Sequence, residues 1–189
     1  MMLLSTILLW VLVIVLFAVF FLLSMWVWAS FKAPVPFIPV PLSILPDIYK
    51  VLNVKEGSVV YDLGCGDARV LIYEARRVPQ ASYIGIESNP FSVLFARVAV
   101  WWYMRSGRNN IQIIKKDFFT EDLSKATHIF TYLYPNIMDD LLQKFEKELT
   151  PGTRLVSISF RFTQKPASAE IDLERRSYQR AHKIYIYEF

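Results

Sequence analysis

The segment Val59-Val60-Tyr61-Asp62-Leu63-Gly64-Cys65-Gly66-Asp67-Ala68-Arg69-Val70 ends an apolar run in a carboxylate, follows it with two glycines, and then opens a helix-compatible stretch. Glycines at such a corner let the backbone approach a ligand where a Cβ would collide with it. The helix start behind them offers free N–H groups and a partial positive charge. A dinucleotide fingerprint, G-x-G-x-x-G, would set a pyrophosphate there. Gly64 and Gly66 fit that spacing, but Arg69 stands at the third glycine position, and Asp62 would repel a pyrophosphate. An acid at that point suits a ligand carrying an ammonium group. The competing reading is a plain strand–turn–helix corner whose glycines only form the turn.

Two more acids fall in corresponding places. Ser82-Tyr83-Ile84-Gly85-Ile86-Glu87 reads as a second strand ending in a carboxylate, followed by Ser88-Asn89. Glu87 lies about 20 residues past the glycine turn, where strand–turn–helix folds place an acid on ribose hydroxyls. Ile111–Ile114 reads as a third strand, followed by Lys115-Lys116 and then Asp117-Phe118-Phe119. Polar strand ends are common in any α/β protein, but acids at the ends of three successive strands point to one shared ligand.

These residues need a frame to bring them together. Strands are expected at Val59–Leu63, Tyr83–Ile86, Ile111–Ile114, His128–Leu133 and Leu155–Ser159, with a final alternating strand at His182–Phe189. In that last strand Ile184 and Ile186 share one face and Tyr185 and Tyr187 the other. Helices are expected at Ser43–Leu52, Ala68–Arg77, Asn89–Arg105 (ending at Gly107) and Asn136–Leu149. In the last helix Ile137, Leu141, Leu142, Phe145 and Leu149 share a face. Strand–helix alternation implies a parallel sheet covered on both faces. Right-handed crossovers then give a doubly wound, mostly parallel α/β sheet of Rossmann-like type. Ligands of such sheets sit at the strand C-terminal ends, where Asp62, Glu87 and Asp117 all fall.

The charge distribution is lopsided. No charged side chain occurs before Lys32 in the 189-residue chain. An apolar run of that length matches the ~20 residues a helix needs to cross a bilayer. A cleaved signal peptide would want a basic start and a shorter apolar region. A run apolar on every side does not fit a soluble core helix. Trp10, Trp26 and Trp28 suit the interfacial positions near its ends. The expected layout is a single transmembrane anchor over residues 1–31, a proline-rich linker over 32–43 that is extended from Ala33 to Pro41, and one domain over 44–189. With every Lys and Arg after the anchor, the positive-inside rule puts the domain in the cytoplasm. The single Cys65 fits a reducing compartment. The net charge of +4 is too small to suggest nucleic acid, so no nucleic-acid partner is expected. The scattered cations, Arg76, Arg77, Arg97, Arg105, Arg108, Lys115, Lys116, Arg175 and Arg176, read as a solvated face drawn to anionic lipid. No metal-ligand spacing is present, so no metal is expected. His128 reads as a packed strand histidine. Trp101, Trp102 and the flanking arginines of the Asn89–Arg105 helix are candidates to rest on the membrane surface, with core packing expected to claim at least one of the two tryptophans.

The motif Asp62-Leu63-Gly64-Cys65-Gly66-Asp67-Ala68 resembles the first motif of class I S-adenosylmethionine-dependent methyltransferases. The resemblance implies S-adenosyl-L-methionine as cofactor, held by Asp62, Leu63, Gly64, Cys65, Gly66, Asp67, Glu87, Ser88, Asn89, Asp117 and Phe118. Asp117 would then accept from the adenine amino group while Phe118 covers the ring. In that family the loop after the fourth strand faces the methyl group. Here it reads Tyr132-Leu133-Tyr134-Pro135-Asn136, without the N-P-P-Y of many amide and adenine methylases. Tyr132, Tyr134, Pro135 and Asn136 are therefore the candidate acceptor-side residues. The tyrosines either attract a lysine ammonium through their faces or pack in the ordinary way. With the N-terminal anchor, Pro36-Phe37-Ile38-Pro39-Val40-Pro41, Glu87-Ser88-Asn89-Pro90 and Leu149–Ser157, the layout resembles the FAM173-type protein lysine methyltransferases. Mitochondrial members of that group modify the ATP synthase c-subunit and the adenine nucleotide translocase. The stretch after Phe160 departs from the group's pattern. The resemblance implies a membrane-associated protein substrate, with the lipid bilayer as a partner. The alternatives are a lipophilic small-molecule acceptor, such as a quinone or lipid, or a non-catalytic scaffold.

Overall fold

The computed structural model describes residues 2–32, 38–105, 110–173 and 183–189. The chain forms two compact units, Met1–Phe37 and Ile38–Phe189. The first is helix α1, Met2–Lys32. Its stretch Leu3–Met25 is long and apolar enough to cross a membrane. At 1.5 Å per residue those 23 residues span ~35 Å, against ~30 Å of bilayer hydrocarbon.

The second unit begins at Ile38, ahead of the boundary expected at residue 44. The cause is local packing: Val40 is buried, and its carbonyl accepts from the Arg69 guanidinium at 2.7 Å. A 3-10 turn at Leu42–Ile44 leads into α2, Leu45–Leu52. The expected Ser43–Leu52 helix is thus split, its first turn being tighter. Part of the expected extended linker, residues 33–37, lies outside the described residues.

The described strands are β1 (Val59–Leu63), β2 (Ser82–Glu87), β3 (Ile111–Lys115), β4 (His128–Thr131), β5 (Arg154–Ile158), β6 (Ala169–Asp172) and β7 (Lys183–Glu188). They form one sheet in the order β3-β2-β1-β4-β5-β7-β6. β1 pairs in parallel with β2 and β4, β2 with β3, and β4 with β5. β7 runs antiparallel between β5 and β6. The order reverses direction at β1, so the crevice between the ends of β1 and β4 is the topological switch point.

The helices between strands are α3 (Arg69–Ala75), α4 (Pro90–Met104) and α5 (Pro135–Glu148). Two apolar clusters show which face each covers. Side chains of α2, α3 and α4 pack with Val60, Phe130, Val156, Ile184 and Ile186. Those of α5 pack with Tyr61, Leu63, Ile129, Leu155 and Tyr187. The alternation along β7 follows the sequence: its isoleucines face the α2–α3–α4 layer and its tyrosines the α5 layer.

Four features depart from the sequence expectation. β4 stops at Thr131 instead of Leu133, because Pro135 starts α5 and has no N–H for a ladder. β6 was not expected, since all four of its residues are exposed and show no buried alternation. A 3-10 turn at Phe118–Thr120 follows β3. Finally, neither Trp101 nor Trp102 is a core residue; α4 buries Val93, Ala96, Val100 and Met104 instead. Gly107, Arg108, Arg175, Arg176 and His182 fall outside the described residues.

One buried group works against the fold. Glu74 on α3 is fully buried, and neither carboxylate oxygen has a hydrogen-bond partner among the described residues. Burial pushes its pKa from 4.5 up to about 8, against the opposing pull of Arg77. Below pH 4.5 the carboxyl holds its proton whether the chain is folded or not, so it does not bias folding. Between that point and about 8 the unfolded chain releases the proton and the folded one keeps it, so stability falls as pH rises. Glu74→Gln should therefore stabilise the full chain in detergent by about 1 kcal/mol or more at pH 8. The gain should vanish as pH falls toward 4.5. Thermal unfolding of both proteins across that range checks it; a pH-independent difference would contradict it.

Candidate functional site

The site is built at the C-terminal ends of β1, β2 and β4. After Leu63 the chain turns on Gly64 (φ +79°) and Gly66 (φ +55°), both left-handed, and Ala68 (φ +61°) leads into α3 in the same region. Left-handed backbone is open to glycine without penalty and costs other residues about 1–2 kcal/mol. The N–H groups of Gly64 and Cys65 both donate to the Ile86 carbonyl, at 2.9 and 3.1 Å, which pins the turn against β2. Gly85 makes that closeness possible: a Cβ there would lie 2.7 Å from Cys65 Sγ and 2.9 Å from Ile113 Cδ1. Sequence reading passed over Gly85 because it sits inside a strand, though an interior strand glycine is a recognised sign of close backbone approach. On the other side, a Cβ at Gly64 would meet Leu133 Cδ2 at 3.1 Å, so the loop after β4 closes over the turn.

The carboxylates around this turn are crowded. Asp62 is buried. Its pKa is raised well above the usual carboxylate range, first by burial, then by the charges of Glu87 and Asp67. Glu87 is fixed by two backbone donors: Gly66 N–H to Oε2 at 3.1 Å and Asn89 N–H to Oε1 at 2.9 Å. Asp67 is held in a fork by Arg69, with contacts of 2.5 to 3.0 Å. Burial and the charge of Asp62 raise the Cys65 thiol well above its ordinary value. Cys65 is thus a neutral packing group rather than a nucleophile.

The other expected donor-side residues have definite places. Leu63 is fully buried in the core, leaving only its backbone for a ligand. Ser88 is exposed beside Glu87. Asn89 caps α4, its Oδ1 accepting from Phe91 and Ser92 N–H at 2.9 and 3.3 Å. Asp117 accepts from Phe119 N–H at 3.0 Å and remains exposed. Phe118 is half-buried beside Phe119, with ring centroids 5.0 Å apart. β3 is the strand next to β2, so Asp117 stands beyond Glu87 along the same sheet edge.

On the acceptor side, β4 ends at Thr131, in register with Leu63 of β1. Tyr132 and Tyr134 follow at once, and both stack on Phe160, at 6.1 Å and 5.6 Å between centroids. Phe160 was not singled out from sequence. It is placed by a three-residue turn after β5: Ser159 has φ +63°, and Phe160 N–H donates to the Ile158 carbonyl at 2.8 Å. Ser157 Oγ also donates to the Phe160 carbonyl, at 2.6 Å. A non-glycine residue held left-handed in so tight a turn stores strain of about 1–3 kcal/mol. No local sequence signal marks this position. Pro135 and Asn136 are exposed in the first turn of α5, beside the ring cluster. His128 lies at the opposite, N-terminal end of β4. Burial and Arg154 lower its pKa to about 4, and Thr127 Oγ1 sits 2.8 Å from its Nδ1.

The donor set suits a cationic amino-acid moiety joined to a nucleoside. A buried acid under like-charge pressure favours an ammonium, a fixed carboxylate suits vicinal hydroxyls, and a left-handed glycine turn makes room beside them.

Comparison with known proteins follows the same line. The family profile described as ANTKMT methyltransferase domain matches residues 62–169. A protein-lysine N-methyltransferase of Saccharolobus islandicus is 32% identical over 158 residues, covering 84% of this chain and 96% of that protein. The lysine N-methyltransferase of Homo sapiens that acts on the ATP synthase c-subunit is 29% identical over 132 residues, covering 69% of this chain but 54% of that protein, so the match spans about half of the human relative. Among solved structures, an RNA methyltransferase from Salinibacter ruber in complex with S-adenosyl-L-homocysteine superposes with a TM-score of 0.72 at 29% identity, covering 80% of this chain and 93% of that one. The acid-bordered glycine turn, the switch-point crevice and these matches agree: the chain belongs to the ANTKMT methyltransferase-domain family, within the class I S-adenosylmethionine-dependent methyltransferases.

Proposed function

We propose that this chain transfers methyl groups from S-adenosylmethionine to lysine side chains of a membrane-associated protein, with α1 as a single-pass anchor and the catalytic domain on the cytoplasmic side. The observation that supports it most is the pairing of two half-sites across the switch point. One is the carboxylate-lined glycine turn at the ends of β1 and β2. The other is the Tyr132–Phe160–Tyr134 ring cluster at the ends of β4 and β5. The relatives that methylate lysine in the ATP synthase c-subunit and in the adenine nucleotide translocase support a membrane-associated acceptor. The uncharged stretch through α1 supports the anchor.

When bound, the cofactor supplies an electrophilic methyl group on a sulfonium. The chain's own contribution is alignment, which can account for a large share of the barrier lowering in a two-reactant step. Asp62 accepts from the amino-acid ammonium. Glu87, already oriented by Gly66 and Asn89, accepts from the ribose hydroxyls. Asp117 and Phe118 take the adenine edge and face. Tyr132, Tyr134 and Phe160 form an apolar aromatic wall for the lysine stem. Their faces attract the ammonium as it arrives. Their exclusion of water then favours the neutral, nucleophilic amine. Pro135 and Asn136 border that wall from α5.

The donor half predicts binding losses. Glu87→Ala and Asp62→Ala should each weaken S-adenosylhomocysteine binding by at least tenfold, since hydrogen bonds to a charged group contribute roughly 1.5–3 kcal/mol. NAD should not bind. Calorimetry on folded variants checks this; unchanged affinity in both would mean the turn holds something else.

The acceptor half predicts where label goes. Full-length enzyme incubated with methyl-labelled cofactor and host membranes should place label on protein lysines, and neither on lipid or quinone nor on RNA. Phe160→Ala should lower that incorporation tenfold or more while S-adenosylhomocysteine affinity stays within about twofold, since a wall residue acts on the methyl acceptor rather than the donor. Label in the lipid fraction would favour a lipophilic small-molecule acceptor, and label in RNA a nucleic-acid one. Either result would overturn the lysine reading.

A further inference from the structure

Helix α4 is apolar on two sides. Val93, Ala96, Val100 and Met104 face the sheet and are buried. The opposite face bears Leu94, Phe95, Val98, Trp101 and Trp102, each between 53% and 62% exposed. Leu94, Val98 and Trp102 stand four apart, and Phe95, Val98 and Trp101 three apart, which is the spacing of a single helical stripe. Contiguous apolar surface of this kind on a protein marks a contact site. The helix has no acidic residue, and at its C-terminal end the Arg105 guanidinium lies over the Trp102 ring, 4.3 Å from its centroid.

A groove of ≈ 660 Å³ runs beside this helix. Its lining includes Tyr103 of α4, Leu42, and the exposed Arg76 and Arg77. The acid among its lining residues, Asp67, is already held by Arg69. The combination of tryptophan, tyrosine and arginine around an apolar stripe matches the chemistry of a lipid headgroup layer. Aromatic rings favour the boundary between headgroups and chains, and arginines favour anionic phosphates.

We propose that the exposed face of α4, with the adjoining arginine groove, seats the catalytic domain on the surface of an anionic lipid bilayer, as a second membrane contact beyond α1. The proposal rests on the reading of α1 as an anchor. Residues 26–37 separate the apolar stretch ending at Met25 from the domain starting at Ile38. Even fully extended, that tether reaches only ~40 Å. It joins the domain beside the groove, since Leu42 and Tyr103 line it together. Lipid is thus held at high effective concentration next to this face, whereas a soluble partner is not. Charge decides the same way, because a second copy of the chain would bring the same arginines and would repel. α4 starts at Pro90, three residues after Glu87, so a domain seated on this face holds its strand ends, and the site, level with the membrane surface.

The test uses the full chain in vesicles of phosphatidylcholine and phosphatidylglycerol. A fluorophore is attached at Val98→Cys, or as a control at Lys147→Cys on α5, which packs on the other face of the sheet; the buried Cys65 does not compete for label. Vesicles carrying a quencher at headgroup depth should quench the Val98 label at least twofold more than the Lys147 label. The excess should drop when phosphatidylglycerol is omitted and when Trp101→Glu and Trp102→Glu are added. Equal, weak quenching at both positions in protein that still floats with vesicles would overturn the proposal and leave the anchor intact. Self-quenching that grows with protein-to-lipid ratio would give this face to a second copy, and shielding that needs an added acceptor protein would give it to that protein; both overturn the proposal. Failure to float would end the anchor reading and this inference with it.

Discussion

The constraint on which the site depends is the packing of negative charge around one left-handed glycine turn. Asp62 ends β1 inside the protein, with Glu87 and Asp67 close enough to raise its pKa further. Among the described residues no cation is hydrogen-bonded to Glu87, whose oxygens are held by backbone N–H groups, and Asp67 already has Arg69. Close packing and hydrogen bonds hold the turn in place around these charges. Gly64 and Cys65 hang from the Ile86 carbonyl, and Gly85 leaves only enough room for the Cys65 side chain. Leu133 closes the opposite side. In the proposed function, the ammonium of S-adenosylmethionine is the cation that this carboxylate cluster receives.

From that corner the rest of the architecture follows. Parallel pairing of β1 with both β2 and β4 brings three loops to one edge, and reversal of the strand order leaves a crevice between two of them. The carboxylate-lined half of that edge is built from β1, β2 and β3. The aromatic half is built from β4 and β5, with the strained turn at Ser159 presenting Phe160 to two tyrosines. The loop after β4 meets the glycine turn where Leu133 lies against Gly64.

Much of the acid-bordered glycine turn was legible in the sequence because its signals are local. Asp62, Gly64 and Gly66 announce themselves by spacing, and Glu87 and Asp117 by their place at strand ends. The parallel core was legible from apolar runs alternating with amphipathic helices. The rest depends on contacts distant in sequence. Gly85 matters only because Cys65 lies against it, and Phe160 only because a turn aims it at Tyr132 and Tyr134. β6 could not be read, since an exposed edge strand has no buried alternation. Trp101 and Trp102 misled for a related reason: large aromatic residues are usually core, and hydrophobicity alone does not say which side of an all-apolar helix faces the sheet. Small Ala96 and branched Val93 and Val100 fit against it, leaving the tryptophans outside.

The central claim is that Asp62 waits, under like-charge pressure, for the ammonium of the cofactor. Its carboxyl pKa is raised in the free protein, and a neighbouring ammonium must lower it, so binding should release a proton at pH values between the two. Calorimetric titration with S-adenosylhomocysteine in two buffers of different ionisation enthalpy measures that proton directly. The expected result is a buffer-dependent enthalpy, with affinity rising as pH increases, and both effects lost in Asp62→Asn. Equal enthalpies in the two buffers, with affinity independent of pH in the unaltered protein, would contradict it.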